Sequence, residues 1–450
     1  MVSFVDVPGK PVVGHLLDIH EGPELLMRSV RSHGDYLRFR FGPYSWLLVN
    51  DPEAVRHVLV KNHDNYVKSR NYVALKLAIG KGLVTSEGEL WKRQRRLMQP
   101  IFTPRNLDGF VAPMVRCTRD MLERWSSIEE GTVIDLHQEM MRLTFRIVGM
   151  TLMSKDLERD ADEFGEAVSH VLEFANRYTE SAVRLPIELP LPSHRRFRRE
   201  LGKLDAVVHG LIRERRRDGE TGNDLLGMLL GASETMSDQQ LRDEVMTMIL
   251  AGHETTAVAL SWTWFFLSQH PAVARQVFAE ARDVLGDREP TVEDLDQLVY
   301  TERVLQESMR LHPPVWAIER DALGPDVIEG HAIEKGTTVG VSAWTLHRHP
   351  DHWENPEGFD PDRWTEERVA ARPRWVYLPF GAGPRVCIGS RFAMIETKLA
   401  LAMMAREYDL QLLPGKKITM DPGITLRPRH GIPMRLLRRR PPPRRRAAAA

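Results

Sequence analysis

Cysteine is scarce in this chain: Cys117 and Cys387 are the two in 450 residues. So few thiols build no disulfide framework, which agrees with a reducing compartment. No histidine lies between Cys387 and His430, so the ligand spacing of a structural zinc site is missing as well. No run of 18 apolar residues exists, and Met1-Val2-Ser3-Phe4-Val5-Asp6 has neither the basic nor the apolar region of a signal peptide. The expectation is a soluble, cytoplasmic protein without a membrane span. Net charge is also absent, with 62 Lys and Arg against 62 Asp and Glu. Seven arginines (Arg435, Arg438, Arg439, Arg440, Arg444, Arg445, Arg446) follow residue 434 with no acid among them, which leaves a mildly acidic body and argues against nucleic acid as a partner. Residues 1–434 read as one domain, and 435–450, with Pro441-Pro442-Pro443 and four terminal alanines, as a disordered basic tail.

What is present is a Gly-rich loop, Phe380-Gly381-Ala382-Gly383-Pro384-Arg385-Val386-Cys387-Ile388-Gly389, that runs into a helix. Its glycines permit tight turns and close approach to a flat ligand. From Ser390 onward, Phe392, Ile395, Leu399, Ala402 and Met403 fall at helical spacing. A thiol just before a helix N-terminus is expected to ionise more readily. Nucleophile, metal ligand, haem ligand and plain buried cysteine all remain open on these residues alone.

The pattern Phe-x-x-Gly-x-Arg-x-Cys-x-Gly resembles the haem-ligand signature of the haem-thiolate monooxygenases, the cytochrome P-450 superfamily. That resemblance implies a mainly α fold with a small β-rich subdomain, holding haem b between a long central helix and the cysteine loop, with Cys387 as the metal ligand and Phe380, Gly381, Arg385 and Gly389 beside it. Four further stretches fit in the family's order. Trp91 and Arg95 share one helix face and match a haem propionate site, and exposed Lys92, Arg93 and Arg96 would form a docking surface for a redox partner. Ser237 caps a helical pattern that runs to about Gln269, roughly 50 Å at about 1.5 Å per residue. Its centre, Ala251-Gly252-His253-Glu254-Thr255-Thr256, breaks the rules of a buried helix. It resembles the family's oxygen-binding motif, with Thr255 organising bound oxygen and water and Glu254 supporting proton delivery. A glycine there can also open a backbone hydrogen bond. His253 is weighed as a packing residue, and Ala257 stands where a zinc-protease motif needs its second histidine. By the same resemblance Glu307, Arg310 and Arg363 form a buried charge triad, Trp364 stands where the family often has Phe, and Arg320 is a propionate partner. Val315, Trp316, Ala317, Ile318, Ile424 and Thr425 would line the distal pocket.

Elsewhere the pattern predicts a helix near 23–33, a hairpin over Tyr36–Phe41 and Trp46–Val49, a helix from Pro52, an irregular mobile segment over 66–88 and a Pro-rich connection at 185–192. His347, His349 and His352 could gather a metal, but Pro350 favours a turn. No dinucleotide fingerprint exists: Val386 occupies the third glycine position after Gly381 and Gly383. The resemblance therefore implies a monooxygenase that hydroxylates or epoxidises an apolar small molecule (fatty acid, terpenoid, steroid or similar lipophile). It would use O2 and two electrons from external redox partners, a ferredoxin or flavodoxin with an NAD(P)H reductase, unless the chain is part of a longer fusion. It would act as a monomer. A peroxide-dependent peroxygenase and a non-catalytic haem sensor are the competing readings.

Overall fold

The computed structural model describes residues 3–439 except 182, 220, 221, 223 and 233–235. Fifteen α-helices occur among the described residues: α1 (Pro23–His33), α2 (Pro52–Arg56), α3 (Val73–Ile79), α4 (Gly88–Met98), α5 (Pro104–Ser126), α6 (Leu136–Leu152), α7 (Ala161–Glu180), α8 (Pro192–Asp218), α9 (Leu225–Gly231), α10 (Asp238–Gln269), α11 (Pro271–Leu285), α12 (Val299–Leu311), α13 (Ala343–Leu346), α14 (Glu366–Ala370) and α15 (Ser390–Glu407). The strands are β1 (Val5–Asp6), β2 (Tyr36–Phe41), β3 (Tyr44–Val49), β4 (Tyr66–Lys68), β5 (Val133–Asp135), β6 (Ala317–Ala322), β7 (Asp326–Ile328), β8 (His331–Ile333), β9 (Thr338–Ser342), β10 (Tyr408–Leu412), β11 (Met420–Pro422), β12 (Leu426–Pro428) and β13 (Pro433–Arg438).

Everything helical is arranged around α10. Ser237 starts it as expected, its Oγ accepting from the Gln240 amide at 3.2 Å. Almost every side chain from Leu241 to Leu267 is buried, as befits a helix enclosed on all sides by neighbours. α6, α8, α12 and α15 pack against it. The large apolar core joins α5, α6, α7, α8, α10 and α15. A second core, with Leu47, Val49, Val55, Val339 and Val341, lies under a six-stranded mixed sheet of order β1-β2-β3-β9-β6-β4.

The segment 66–88, expected to be irregular, carries β4 and α3. Its order comes from distant partners. β4 pairs antiparallel with β6 in the register Tyr66↔Ala322, Val67↔Asp321, Lys68↔Arg320. The following loop is gripped by α10, where Asp243 Oδ2 accepts from the Lys81 amide (2.8 Å) and Glu244 Oε2 from the Leu83 amide (3.0 Å). The domain boundary expected at 434 falls inside β13, where Arg435 pairs with Gln411 and Val133. Strand pairing therefore holds the first arginines of the supposed tail, and Arg439 Nε donates to the Tyr408 carbonyl (3.0 Å). Residues 440–450 lie outside the described residues.

Glu307 anchors the layer below the cysteine loop. It is fully buried and receives Arg310 through two nitrogens (2.8 and 2.9 Å), Arg363 Nε (3.2 Å), the Asp360 amide (2.9 Å) and Trp364 Nε1 (3.0 Å). Arg310 in turn donates to the carbonyls of His347, Pro356 and Gly358. Every lone pair of a buried carboxylate is thus engaged, the condition under which a buried ion pair is tolerated. Trp364 adds a donor that a phenylalanine would lack. Of the three histidines, His347 Nε2 accepts from the Leu378 amide (2.8 Å), while His349 Nε2 contacts Asp35 (3.1 Å) and its ring lies 4.7 Å from that of His352. Removing one partner of such a buried pair costs about 3–5 kcal/mol. Glu307→Ala should therefore lower unfolding free energy in urea by about that amount; a change under about 1 kcal/mol would contradict the role assigned to it.

Candidate active site

The cysteine loop is folded by its own backbone. The Gly381 amide donates to the Leu378 carbonyl (3.1 Å), the Val386 amide to Gly383 (3.0 Å) and the Cys387 amide to Phe380 (2.9 Å). Gly383 is required where it stands: its φ is +69° and a Cβ would fall 1.9 Å from the Leu59 carbonyl oxygen. α15 then starts at Ser390, so Cys387 lies one turn before its N-terminus, as expected. The Cys387 side chain is open to solvent, although protein surrounds it closely on all sides. That combination describes the wall of an internal cleft rather than an outer surface. Packing around the loop pushes the thiol up, while the Gly389 amide and the Arg95 charge pull towards the easier ionisation expected before a helix N-terminus.

α4 and β6 bring cations to the rim of this loop. Arg95 donates from Nη1 to the Val386 carbonyl (2.8 Å). Arg385 stacks over the Trp91 ring at 4.0 Å, donates to the Ser86 carbonyl (2.8 Å) and pairs with Glu87. Arg320 is buried on β6, directly across the ladder from Lys68. Burial and the charges of Arg320 and Arg385 hold the Lys68 ammonium well below the usual lysine range, and burial pulls Arg385 down to about 10. Like charges opposite one another in a ladder repel, so this cluster calls for anions that the chain itself supplies sparingly. Two carboxylates of a planar ligand resting on the cysteine loop fit that demand. The residues present therefore fit a haem. Lys68 and Tyr72, whose hydroxyl meets Arg320, were missed in the sequence because the register that brings Lys68 to Arg320 is non-local.

α10 carries the second group of expected site residues. Within its buried middle, Ala251 is exposed and Thr255, one turn on, is half-buried, so the two open onto the same face. The helix runs through this stretch without a break, contrary to the expected opening of a backbone bond. Both threonines bond back to the preceding turn, Thr255 Oγ1 to the Ala251 carbonyl (2.7 Å) and Thr256 to that of Gly252. Gly252 faces α6, where a Cβ would come within 2.9 Å of Val148 Cγ2, so close helix packing accounts for it. Glu254 is buried and accepts from Thr425 Oγ1 at 2.6 Å; burial raises its carboxyl above the ordinary range. His253 packs edge-on against Phe145 and Phe164, burial holding it at about 3. On β6, Ile318 Cδ1 lies 3.4 Å from where a Cβ on Gly381 would stand, and just before that strand Trp316 Nε1 donates to the Gly423 carbonyl (2.9 Å) in the turn between β11 and β12. Lys92, Arg93 and Arg96 are exposed on α4.

This chain belongs to the cytochrome P450 family, whose description matches residues 6–432. Members of this family bind haem b through a cysteine ligand, and the chain is a P450 monooxygenase. It is 36% identical to cyclooctatin synthase of Streptomyces melanosporofaciens over 426 residues, covering 93% of this chain and 92% of the relative. Pentalenene oxygenase of Streptomyces avermitilis is 33% identical over 93% of this chain and 92% of its own length. A putative cytochrome P450 132 of Mycobacterium bovis is 35% identical over 88% and 89%. No helix among the described residues is long and apolar enough to cross a membrane.

The clamp on the loop before α4 has a pH dependence. Burial raises Glu244 to about 7, with the Leu83 amide and the Gln240 amide opposing and Asp243 adding to the rise. The folded state therefore binds more protons than the unfolded one between the ordinary value and about 7, so this contribution is fully present below about 4.5 and is lost as pH rises through 7. Protection factors of the Lys81 and Leu83 amides should fall between pH 6 and pH 8, and Glu244→Gln should flatten that change; an unchanged profile in the variant would contradict it.

Proposed function

We propose that this chain inserts one oxygen atom from O2 into a terpenoid-like lipophile, with Cys387 as the residue that would hold the haem iron and electrons delivered by a ferredoxin or flavodoxin and its NAD(P)H reductase. The observation that carries the reading is the cationic cradle beside an internally open cysteine. When bound, the haem supplies oxygen activation, and a thiolate beneath it favours O–O cleavage.

The protein's own residues divide the remaining work. Lys68, Arg95, Arg320 and Arg385 would hold the two haem carboxylates in charge-assisted bonds, and Trp91 backs Arg385 by stacking. Phe380, Gly381 and Gly389 shape the floor. The Thr255 hydroxyl, its proton committed to the Ala251 carbonyl, turns its acceptor lone pairs to the open face beside Ala251 and can order a water there. Glu254, with its carboxyl raised by burial and fixed by Thr425, can hold a proton next to that face. Trp316, Ala317, Ile318 and Ile424 offer an apolar lining that favours a lipophile and keeps bulk water out. The terpenoid assignment is supported by the relatives named for cyclooctatin and pentalenene chemistry, and exposed Lys92, Arg93 and Arg96 suit an acidic electron-transfer partner.

With surrogate ferredoxin, reductase, NAD(P)H and 18O2, a cyclic terpene hydrocarbon should gain a single labelled oxygen. Failure of every lipophile tried to gain label while electrons are consumed would contradict the reading. Thr255→Ala should reduce product formed per NAD(P)H consumed by roughly tenfold or more. Full retention of that ratio would remove Thr255 from the proton path, and a wild-type enzyme active with peroxide but inert with O2 and reductant would favour the peroxygenase alternative.

A further inference from the structure

Glu87 holds a position that neither the motif pattern nor the cleft's apolar lining explains. It stands at the N-cap of α4, yet its side chain makes no cap hydrogen bond to that helix. Instead Oε1 accepts from the Lys68 amide on β4 (2.6 Å) and Oε2 pairs with Arg385 of the cysteine loop. Arg385 is fixed from two further sides, by the Ser86 carbonyl and by the face of Trp91 on the first turn of α4. One carboxylate therefore joins the strand that carries Lys68, the start of the helix that carries Trp91 and Arg95, and the loop that carries Cys387. Two other nearby acids are turned away, Glu319 into bonds with Trp46, Ser69 and Asn71 and Asp321 into bonds with Arg70 and Thr338. Against the four cations Lys68, Arg95, Arg320 and Arg385, Glu87 is the chain's own counter-charge, and the two haem carboxylates would bring the negative total to three.

We propose that Glu87 is a positioning residue for the haem: its carboxylate preassembles the cradle by tying β4, α4 and the cysteine loop together, and its negative charge lowers the reduction potential of the bound iron. The proposal rests on the P450 assignment. A fixed negative charge close to the cofactor disfavours the added electron, and a low-dielectric surrounding strengthens that effect. The same carboxylate restrains Arg385 from swinging wholly onto a haem carboxylate. The two roles separate by chemistry, because glutamine keeps an acceptor for the Lys68 amide but loses the charge, whereas alanine loses both.

The test compares wild type, Glu87→Gln and Glu87→Ala as haem-loaded proteins, each first shown to give a thiolate-type carbon monoxide band, so that a negative result bears on Glu87 and not on the haem ligand. Spectroelectrochemical titration should give a more positive reduction potential in both variants than in wild type. Haem transfer to excess apomyoglobin should proceed at close to the wild-type rate in Glu87→Gln and at least threefold faster in Glu87→Ala. An unchanged or more negative potential in Glu87→Gln would overturn the electrostatic role, and equal transfer rates in the two variants would overturn the tethering role.

Discussion

Partly buried positive charge in excess of the acid beside it is the constraint from which the rest of this structure follows. Lys68 and Arg320 face each other across a ladder, Arg385 is pressed between Trp91 and Glu87, and Arg95 is tied to the carbonyl before Cys387. A chain does not keep such a cluster for stability, since repulsion and desolvation both work against it. The cluster makes sense as one half of an interaction whose other half is a dianionic ligand. The flatness of the Gly-rich floor and the open face at Ala251 and Thr255 give that ligand its shape.

The strain of this arrangement is met by rigid packing behind it. Glu307 is the counterpart of the cradle: a buried carboxylate with every lone pair used, joined through Arg310 to the backbone of the turn that leads into the cysteine loop. On the distal side α10 is held in register by the close contact at Gly252 with α6 and by α15, where Glu396 lies fully buried beside Thr256 with burial keeping its carboxyl far above the ordinary range. A long, enclosed helix and a multiply anchored loop are thus each held rigidly in place. Apolar burial supplies the stability, and the polar anchors supply position.

Local signals were legible in the sequence because they act over a few residues. The serine cap at 237, the helix at 23–33, the hairpin of β2 and β3, the Glu-x-x-Arg pair and the cysteine loop all declare themselves within ten residues. Lys68 and Glu87 did not, because their meaning depends on β4 pairing with β6 and on α4 lying against a loop almost 300 residues later in the chain. Gly252 was read as able to open a backbone hydrogen bond, but the helix runs on unbroken and the approach of Val148 accounts for the glycine, which no local pattern reveals. The tail boundary was misplaced because arginines in β13 look like low-complexity charge until their ladder partners are known.

The ligand beneath the iron can be identified by one spectrum. Haem-loaded protein, reduced and exposed to carbon monoxide, should show the red-shifted absorption band of a thiolate-ligated haem, and Cys387→Ala should lose that band. An imidazole-type band in the wild type, or a thiolate-type band that survives in the variant, would contradict the assignment of Cys387 and with it the account of the cleft.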